Sequence, residues 1–311
     1  MYLIVQIPCL NEERTLGEVI DAIPKSIQGV SKIEIVVIDD GSIDKTVETA
    51  KRHGASTILS NKRTLGLANS FRVGLEYAIE QEADILVNTD GDHQYPSDQI
   101  PALIQPIIQG TADMVIGDRQ TNQINHFSTL KKIFQFIGTK LTQLATANYD
   151  VKDAASGFRS YSSQAIKELN ITSDFSYVLD TLVQASRKKM VIASIPIRTN
   201  SPKRPSRLFT NMWQHIWKSG TELLRVFAYY RPFRVFTALG FVVFVLGAIP
   251  MFRFLIDYFY GDGGQGKIQS LILGSVLLSA SFNLFALAII GELMSKNRLL
   301  IERSLNRAKQ T

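Results

Sequence analysis

The chain predicts an α/β domain built on a mostly parallel sheet, followed by two membrane-spanning helices. Two observations carry this. Over residues 1–199 short apolar runs alternate with polar, charged stretches, whereas 236–294 holds two long apolar segments joined by a glycine-rich loop. The strand-like runs, at 3–7, 33–38, 57–59, 85–87 and 114–116, are separated by helical patterns such as 65–80. That alternation belongs to a parallel sheet covered by helices.

In open sheets of this kind ligands sit at the carboxyl ends of the strands, and three polar clusters fall there, at 8–13, 39–42 and 90–94. The most telling is Asp90-Gly91-Asp92-His93-Gln94, directly after the run Ile85-Leu86-Val87-Asn88-Thr89. Two carboxylates and an amide suit a hard divalent cation such as Mg or Mn, with positions left open for the oxygens of a diphosphate. Asp-Gly is also a common turn dipeptide, so the motif draws its weight from its neighbours. Asp90 and Asp92 read together as that site, and strand alternation would bring Gln94, rather than His93, to their side as a further ligand. Pro8, Leu10, Asn11 and Glu12 leave the first strand; Glu12 either accepts hydrogen bonds from a base or ribose, or caps the helix starting near Thr15. Asp39 and Asp40 leave opposite faces of the second strand, one as a ribose or base ligand and the other structural. The start of the long helix, Gly66-Leu67-Ala68-Asn69-Ser70, offers amides to a phosphate.

After the fifth strand come Asp118-Arg119, Lys131-Lys132 and Asp153-Ala154-Ala155-Ser156-Gly157-Phe158-Arg159. The planar Arg119 guanidinium suits a phosphate, and Asp153 would orient reacting groups. Lys131 and Lys132 face either a ligand or solvent. Lys203, Arg204 and Arg207 lie among prolines and serines, as a diphosphate clamp or a linker. No Gly-x-Gly-x-x-Gly turn follows the first strand, which disfavours a dehydrogenase, and the Gly-rich run at 261–266 reads as a flexible turn.

Residues 235–255 carry Arg253 as their only charge and 268–291 carry none; each stretch is long enough to cross a hydrocarbon core. Arg253 is near an end and can snorkel. Arg225, Arg231 and Arg234 precede the first span, and Lys296, Arg298, Arg303, Arg307 and Lys309 follow the second, while 257–267 holds one Lys. The positive-inside rule then places both termini in the cytoplasm. Before the spans, 211–230 interleaves Trp213, Trp217, Leu224, Phe227 and Tyr230 with His215, Lys218, Glu222 and Arg225, the pattern of an interfacial helix. The expected division is a catalytic domain at 1–209, an interfacial helix at 210–234, and a hairpin at 235–311 with spans at about 235–255 and 268–294 and a basic tail. Small residues Gly274, Ser275, Ser279 and Ser281 offer packing surfaces for an oligomer.

The apolar run at 2–7 is too short for a signal-peptide core and reads as a strand. The single Cys9 forms no internal disulfide or metal cluster and reads as packing. The net charge of +6, from 34 basic and 28 acidic residues, sits largely near the membrane segments, pointing to anionic headgroups rather than nucleic acid.

Taken together, Pro8-Cys9-Leu10-Asn11-Glu12-Glu13, Val37-Ile38-Asp39-Asp40-Gly41-Ser42, the 90–94 motif and Asp153 to Arg159 resemble, in order and spacing, a family-two glycosyltransferase of the GT-A fold. With two C-terminal spans the chain is similar to the polyprenyl-phosphate glycosyltransferases, such as the undecaprenyl-phosphate glucosyltransferases and dolichol-phosphate mannose synthases. The resemblance implies that Pro8, Leu10, Glu12, Ile38, Asp40, Asp90 and Gly91 line the nucleotide site and that Asp92 and Gln94 hold a divalent metal. It further implies that Arg119 and Lys131 face the donor and acceptor phosphates, with Lys203, Arg204 and Arg207 closing over them. Leu10 stands where a relative stacks an aromatic on the base. The implied reaction is inverting transfer of a hexose, glucose from UDP-glucose first and mannose from GDP-mannose second, to a polyprenyl phosphate. A homo-oligomer, with a tetramer as one form, and a separate flippase and downstream transferase are implied partners. A processive synthase would carry Gln-x-x-Arg-Trp, of which Gln214-His215-Ile216-Trp217 is only a fragment, and an inactive nucleotide-sugar scaffold would lose the acids at 90 and 92.

Overall fold

The structure, a computed structural model, describes residues 1–121, 132, 136, 138–140, 142–143, 150–171, 177–200, 221, 232–261 and 268–308. It divides into two compact units, Met1–Trp217 and Lys218–Thr311.

The first unit is a seven-stranded sheet of β1 (Tyr2–Cys9), β2 (Lys32–Asp39), β3 (Thr57–Ser60), β4 (Ile85–Asn88), β5 (Met114–Asp118), β6 (Arg159–Ser162) and β7 (Ile192–Pro196), in the order β3-β2-β1-β4-β6-β5-β7. All five strands expected from the sequence are present and parallel wherever they pair with one another. Two strands lie outside that expectation: β7, which pairs parallel with β5, and β6, which runs antiparallel between β4 and β5. Its sequence, Arg-Ser-Tyr-Ser, shows no apolar alternation, yet Arg159, Ser160 and Tyr161 are fully buried. Polar side chains survive there because they are satisfied: Ser160 Oγ donates to Leu103 O at 2.9 Å.

Alternate residues of each strand feed the two faces. Ile4, Val36, Ile38, Leu86 and Ile116 pack with α3 (Leu67–Glu80), α5 (Ser163–Glu168) and α6 (Tyr177–Arg187). Leu3, Val5, Ile7, Val37, Ile85, Val87 and Val115 pack with α1 (Leu16–Asp21), α2 (Thr46–Arg52) and α4 (Ile100–Ile108).

Register decides where the polar clusters emerge. Cys9 is level with Asp39, and Gln6 with Asn88, so the segments after β1, β2 and β4 leave by one edge. The strand order reverses between β1 and β4, which opens a crevice there. Because β6 is antiparallel, its first residue, Arg159, pairs with Asn88 and Ile116 at that same edge, and the 153–157 segment arrives beside the others.

The second unit is a hairpin of α7 (Pro232–Tyr260) and α8 (Ile268–Ala308), each long and apolar enough to cross a membrane. The expected spans lie inside these helices, and α8 continues past 294 to Ala308 through the basic segment. Large apolar side chains such as Phe241, Phe252, Phe259 and Phe282 are exposed, unlike those of a soluble core helix. The seam is built from small residues: Gly247 meets Gly274 and Leu277, Gly291 meets Pro232, and Ser281 Oγ donates to Gly240 O at 2.9 Å. Of the small residues expected to serve an oligomer, Gly274 and Ser281 are spent inside the hairpin, while Ser275 and Ser279 remain exposed.

Candidate active site

At the β1 end, Asn11 takes φ 55°, and its amide donates to Ser42 Oγ at 2.8 Å while its Oδ1 accepts from the Ile43 amide at 2.9 Å. Glu12 N donates to Thr46 Oγ1 at 2.8 Å. The β1 and β2 exits are thereby zipped into one rim. Glu12 is buried, and its Oε2 lies 3.2 Å from the Thr15 hydroxyl at the start of α1, where the Thr15 side chain makes no capping bond. The single Thr15 hydroxyl proton has its nearer acceptor in Gly91 O, at 2.8 Å, and this bond ties the β1 and β4 exits together.

Asp40 is committed to the protein. Its Oδ1 accepts from Asn61 Nδ2 and the Leu65 amide, both at 2.9 Å, and its Oδ2 from the Gly66 amide at 2.8 Å. The carboxylate therefore occupies the approach to α3 where the sequence suggested a phosphate, and it holds the 61–66 loop against β2. Gly41, at φ 78°, permits this because a Cβ there would lie 2.9 Å from the Arg63 carbonyl carbon. Ile38 is a core side chain facing α3, with its Cδ1 3.0 Å from the position a Gly74 Cβ would take. Only its backbone remains for a ligand. Pro8 is buried and Leu10 half-buried.

The 90–94 motif turns instead of continuing the strand, so alternation does not set its side-chain directions. Asp92 Oδ1 accepts from the Gln94 amide at 3.0 Å, and His93 sits at φ 61°. Gly91 lies directly over the β1 end, where a Cβ would be 2.8 Å from Cys9 Sγ. Burial raises the Cys9 thiol well above its ordinary pKa, with the charges of Glu12, Asp39, Asp90 and Asp92 adding to it, so it packs as a neutral side chain. Burial also raises the Asp90 carboxyl, and the neighbouring Asp92 charge raises it further, against the pull of Arg119. A pair of acids held close in a half-buried turn is a donor set that fits a hard cation. Among the described residues no group of three or more His, Cys, Asp or Glu is placed to cage one, so the remaining ligands would come from a phosphorylated substrate.

Arg119 and Asp153 are both buried and joined in parallel, Nε to Oδ2 at 2.6 Å and Nη2 to Oδ1 at 2.9 Å. Burial works against the guanidinium charge, but Tyr95, Asp153 and Asp90 more than offset it and hold Arg119 charged. Asp153 also accepts from the Arg119 and Ala155 amides, at 3.3 and 3.2 Å. Four residues on, Gly157 donates to Tyr95 Oη at 3.2 Å and accepts at its carbonyl from Asn88 Nδ2 at 2.9 Å and Tyr177 Oη at 3.3 Å. A Cβ at Gly157 would stand 3.3 Å from both Asp90 oxygens, so the two motifs meet there.

Asn200, beyond β7, donates from its amide to Gln94 O and from Nδ2 to His93 O, each at 3.0 Å. It was not singled out by the sequence, and only the Asn side chain's capacity for local backbone bonds hints at it. Lys131, Lys203, Arg204, Arg207 and most of the expected interfacial helix at 210–234 lie outside the described residues.

A family model described as Glycosyl transferase family 2 matches residues 4–169. The UDP-N-acetylglucosamine–dolichyl-phosphate N-acetylglucosaminyltransferase of Methanococcus voltae is 28% identical over 220 residues, covering 64% of this chain and 85% of that protein. The undecaprenyl-phosphate mannosyltransferase of Micrococcus luteus is 25% identical over 211 residues, covering 63% of this chain and 83% of that protein. Among solved structures, glucosyl-3-phosphoglycerate synthase from Mycobacterium tuberculosis shares the fold, with a TM-score of 0.56 at 20% identity over 73% of this chain and 78% of its own.

Proposed function

The chain belongs to glycosyl transferase family 2, and from that premise we propose that it transfers a hexose from a nucleotide sugar to a polyprenyl phosphate at the cytoplasmic membrane face, with inversion at the anomeric carbon. The observation that carries this reading is the meeting of Asp90, Asp92 and the Arg119–Asp153 pair at one sheet edge, in a chain with two helices able to cross a membrane. The relatives named for dolichyl and undecaprenyl phosphate support the acceptor class. They differ in sugar, so the donor rests on the resemblance: glucose from UDP-glucose first, mannose from GDP-mannose second.

A lipid phosphate is ionised near neutral pH and attacks without a strong base. That suits a site where both oxygens of Asp153 already accept from Arg119. Asp153 then orients Arg119, whose Nη1 makes no hydrogen bond among the described residues and is left for a phosphate. Asp92, with Asp90 and Gln94, would hold Mg or Mn, which when bound offsets charge on the departing diphosphate. Glu12, Leu10 and the backbone at Pro8, Ile38 and Gly91 frame the nucleoside. Lys131 and the 203–207 cations supply further charge for phosphates. Attack from the face opposite the nucleotide gives a β-linked lipid-phosphate sugar. The cytoplasmic placement of both termini rests on the flanking basic residues. Two spans make no transport path alone, so a separate flippase would pass the product to a downstream transferase, and a homo-oligomer fits the exposed helix faces.

The test offers purified protein, in detergent with undecaprenyl phosphate and Mg or Mn, radiolabelled UDP-glucose, GDP-mannose and UDP-N-acetylglucosamine in parallel. Label entering the organic phase from one donor identifies the sugar; transfer to water alone would overturn the lipid acceptor.

A further inference from the structure

Among the described residues Arg159 is the largest fully buried side chain, and no carboxylate there pairs with it. Its guanidinium spends every nitrogen on neutral acceptors: Nε on Ser156 O at 2.8 Å, Nη2 on Ala154 O at 3.0 Å, and Nη1 on Val178 O at 2.6 Å and Thr181 Oγ1 at 2.9 Å. A buried cation held by neutral carbonyl and hydroxyl oxygens is costly where packing alone would do, since an apolar side chain could fill the strand position. What an apolar side chain cannot do is hold two alternate carbonyls of one loop and the first turn of a helix at fixed spacing. That task needs the planar fork.

The loop so held runs from Asp153 to Gly157, and its front carries the site. Asp153 grips Arg119 and Gly157 abuts Asp90, while the carbonyls of Ala154 and Ser156 point back to Arg159. We infer that Arg159 is a positioning residue for sugar transfer: it anchors the 153–157 loop to α6 and thereby fixes Asp153, and through Asp153 the Arg119 guanidinium. The inference rests on the proposed transferase reading for its kinetic part only. Lysine, with one nitrogen at the end of a flexible stem, would not span the three carbonyls and should not substitute.

The experiment compares wild type, Arg159→Lys, Asp153→Asn and the double variant, with Thr181→Val as a milder change that removes one acceptor and leaves the charge. Side-chain Nε–H signals of ¹⁵N-arginine are followed alongside lipid-product kinetics. Arg159→Lys is expected to lower kcat by about a hundredfold with donor KM changed far less. The double variant is expected to match Asp153→Asn alone, because the two residues act in series. Thr181→Val should lower kcat in the same sense by a few-fold. The slowly exchanging Arg119 Nε–H signal of the wild type should exchange fast in Arg159→Lys. Multiplying losses in the double variant, or an Arg119 signal unchanged in a folded Arg159→Lys, would overturn the inference. If Arg159→Lys does not fold, Thr181→Val with unaltered kcat overturns it as well. A wild type that transfers no sugar while the Arg119 signal responds to Arg159 would refute the transferase reading and leave the positioning role standing.

Discussion

Asp153 meets Arg119 through two parallel hydrogen bonds, 2.6 and 2.9 Å long, inside a protein wall that covers both side chains. Removing the carboxylate leaves a buried guanidinium without its hydrogen-bonded counter-charge. Asp153→Asn is therefore expected to lose about 3 kcal/mol or more of stability together with most activity. Thermal unfolding in detergent checks the first part; an Asn variant as stable as wild type would mean the pair is not buried as described.

Gly91 is required because of Cys9. A methyl group at 91 would stand 2.8 Å from Cys9 Sγ, and that sulfur is buried with little room to move. Gly91→Ala is expected to cost about 1–3 kcal/mol and to reduce transfer. Adding Cys9→Ala removes the obstructing atom and should restore most of both. If the double variant is as impaired as the single one, the clash is not the reason for glycine.

Glu34 sits at the opposite end of the sheet in a polar cluster. It accepts from Tyr2 Oη, Tyr77 Oη at 2.7 Å and Thr57 Oγ1 at 2.9 Å, with Lys32 Nζ at 3.2 Å. Burial raises its carboxyl, but the bonds from Tyr2, Tyr77, Thr57 and Lys32 outweigh that and hold it at about 2. The folded pKa lies below the unfolded one, so the stabilisation is fully present above about pH 4.5 and is lost as pH falls toward 2. Glu34→Gln should melt lower than wild type at pH 6, with the gap closing across that acidic range. A constant gap would contradict the assignment.

In the hairpin, a Cβ at Gly247 would lie 2.9 Å from Leu277 Cβ and 3.0 Å from the Leu278 amide. Gly247→Ile should force the helices apart and lower detergent stability by about 1–3 kcal/mol. The same change at exposed Ser275 should be tolerated. Equal effects at both positions would show that the seam lies elsewhere.

The five parallel strands and their polar exits were legible because each strand is a mainly apolar run, broken by Gln6 in β1 and Glu34 in β2, that ends in polar or small residues. β6 was not. Its buried Arg159 and Ser160 are paid for by partners distant in sequence, Val178, Thr181 and Leu103, which no local pattern records. Asp40 illustrates a second limit: the sequence placed it at the rim but not its commitment to Asn61, Leu65 and Gly66. The 90–94 side chains were aimed by strand alternation, which ends at Asn88, where the chain turns. The small residues of α8 were legible as a packing surface, but whether a second copy or α7 fills it depends on the register of the hairpin.

The most direct test of the central claim compares wild type with Asp92→Asn for transfer of label from the preferred donor to undecaprenyl phosphate, with Mg or Mn and again after chelation. The account predicts an organic-phase product from wild type that chelation abolishes, and a folded Asp92→Asn variant with activity reduced by about a hundredfold or more. Full turnover by Asp92→Asn, or lipid-linked product unaffected by chelation, would contradict it.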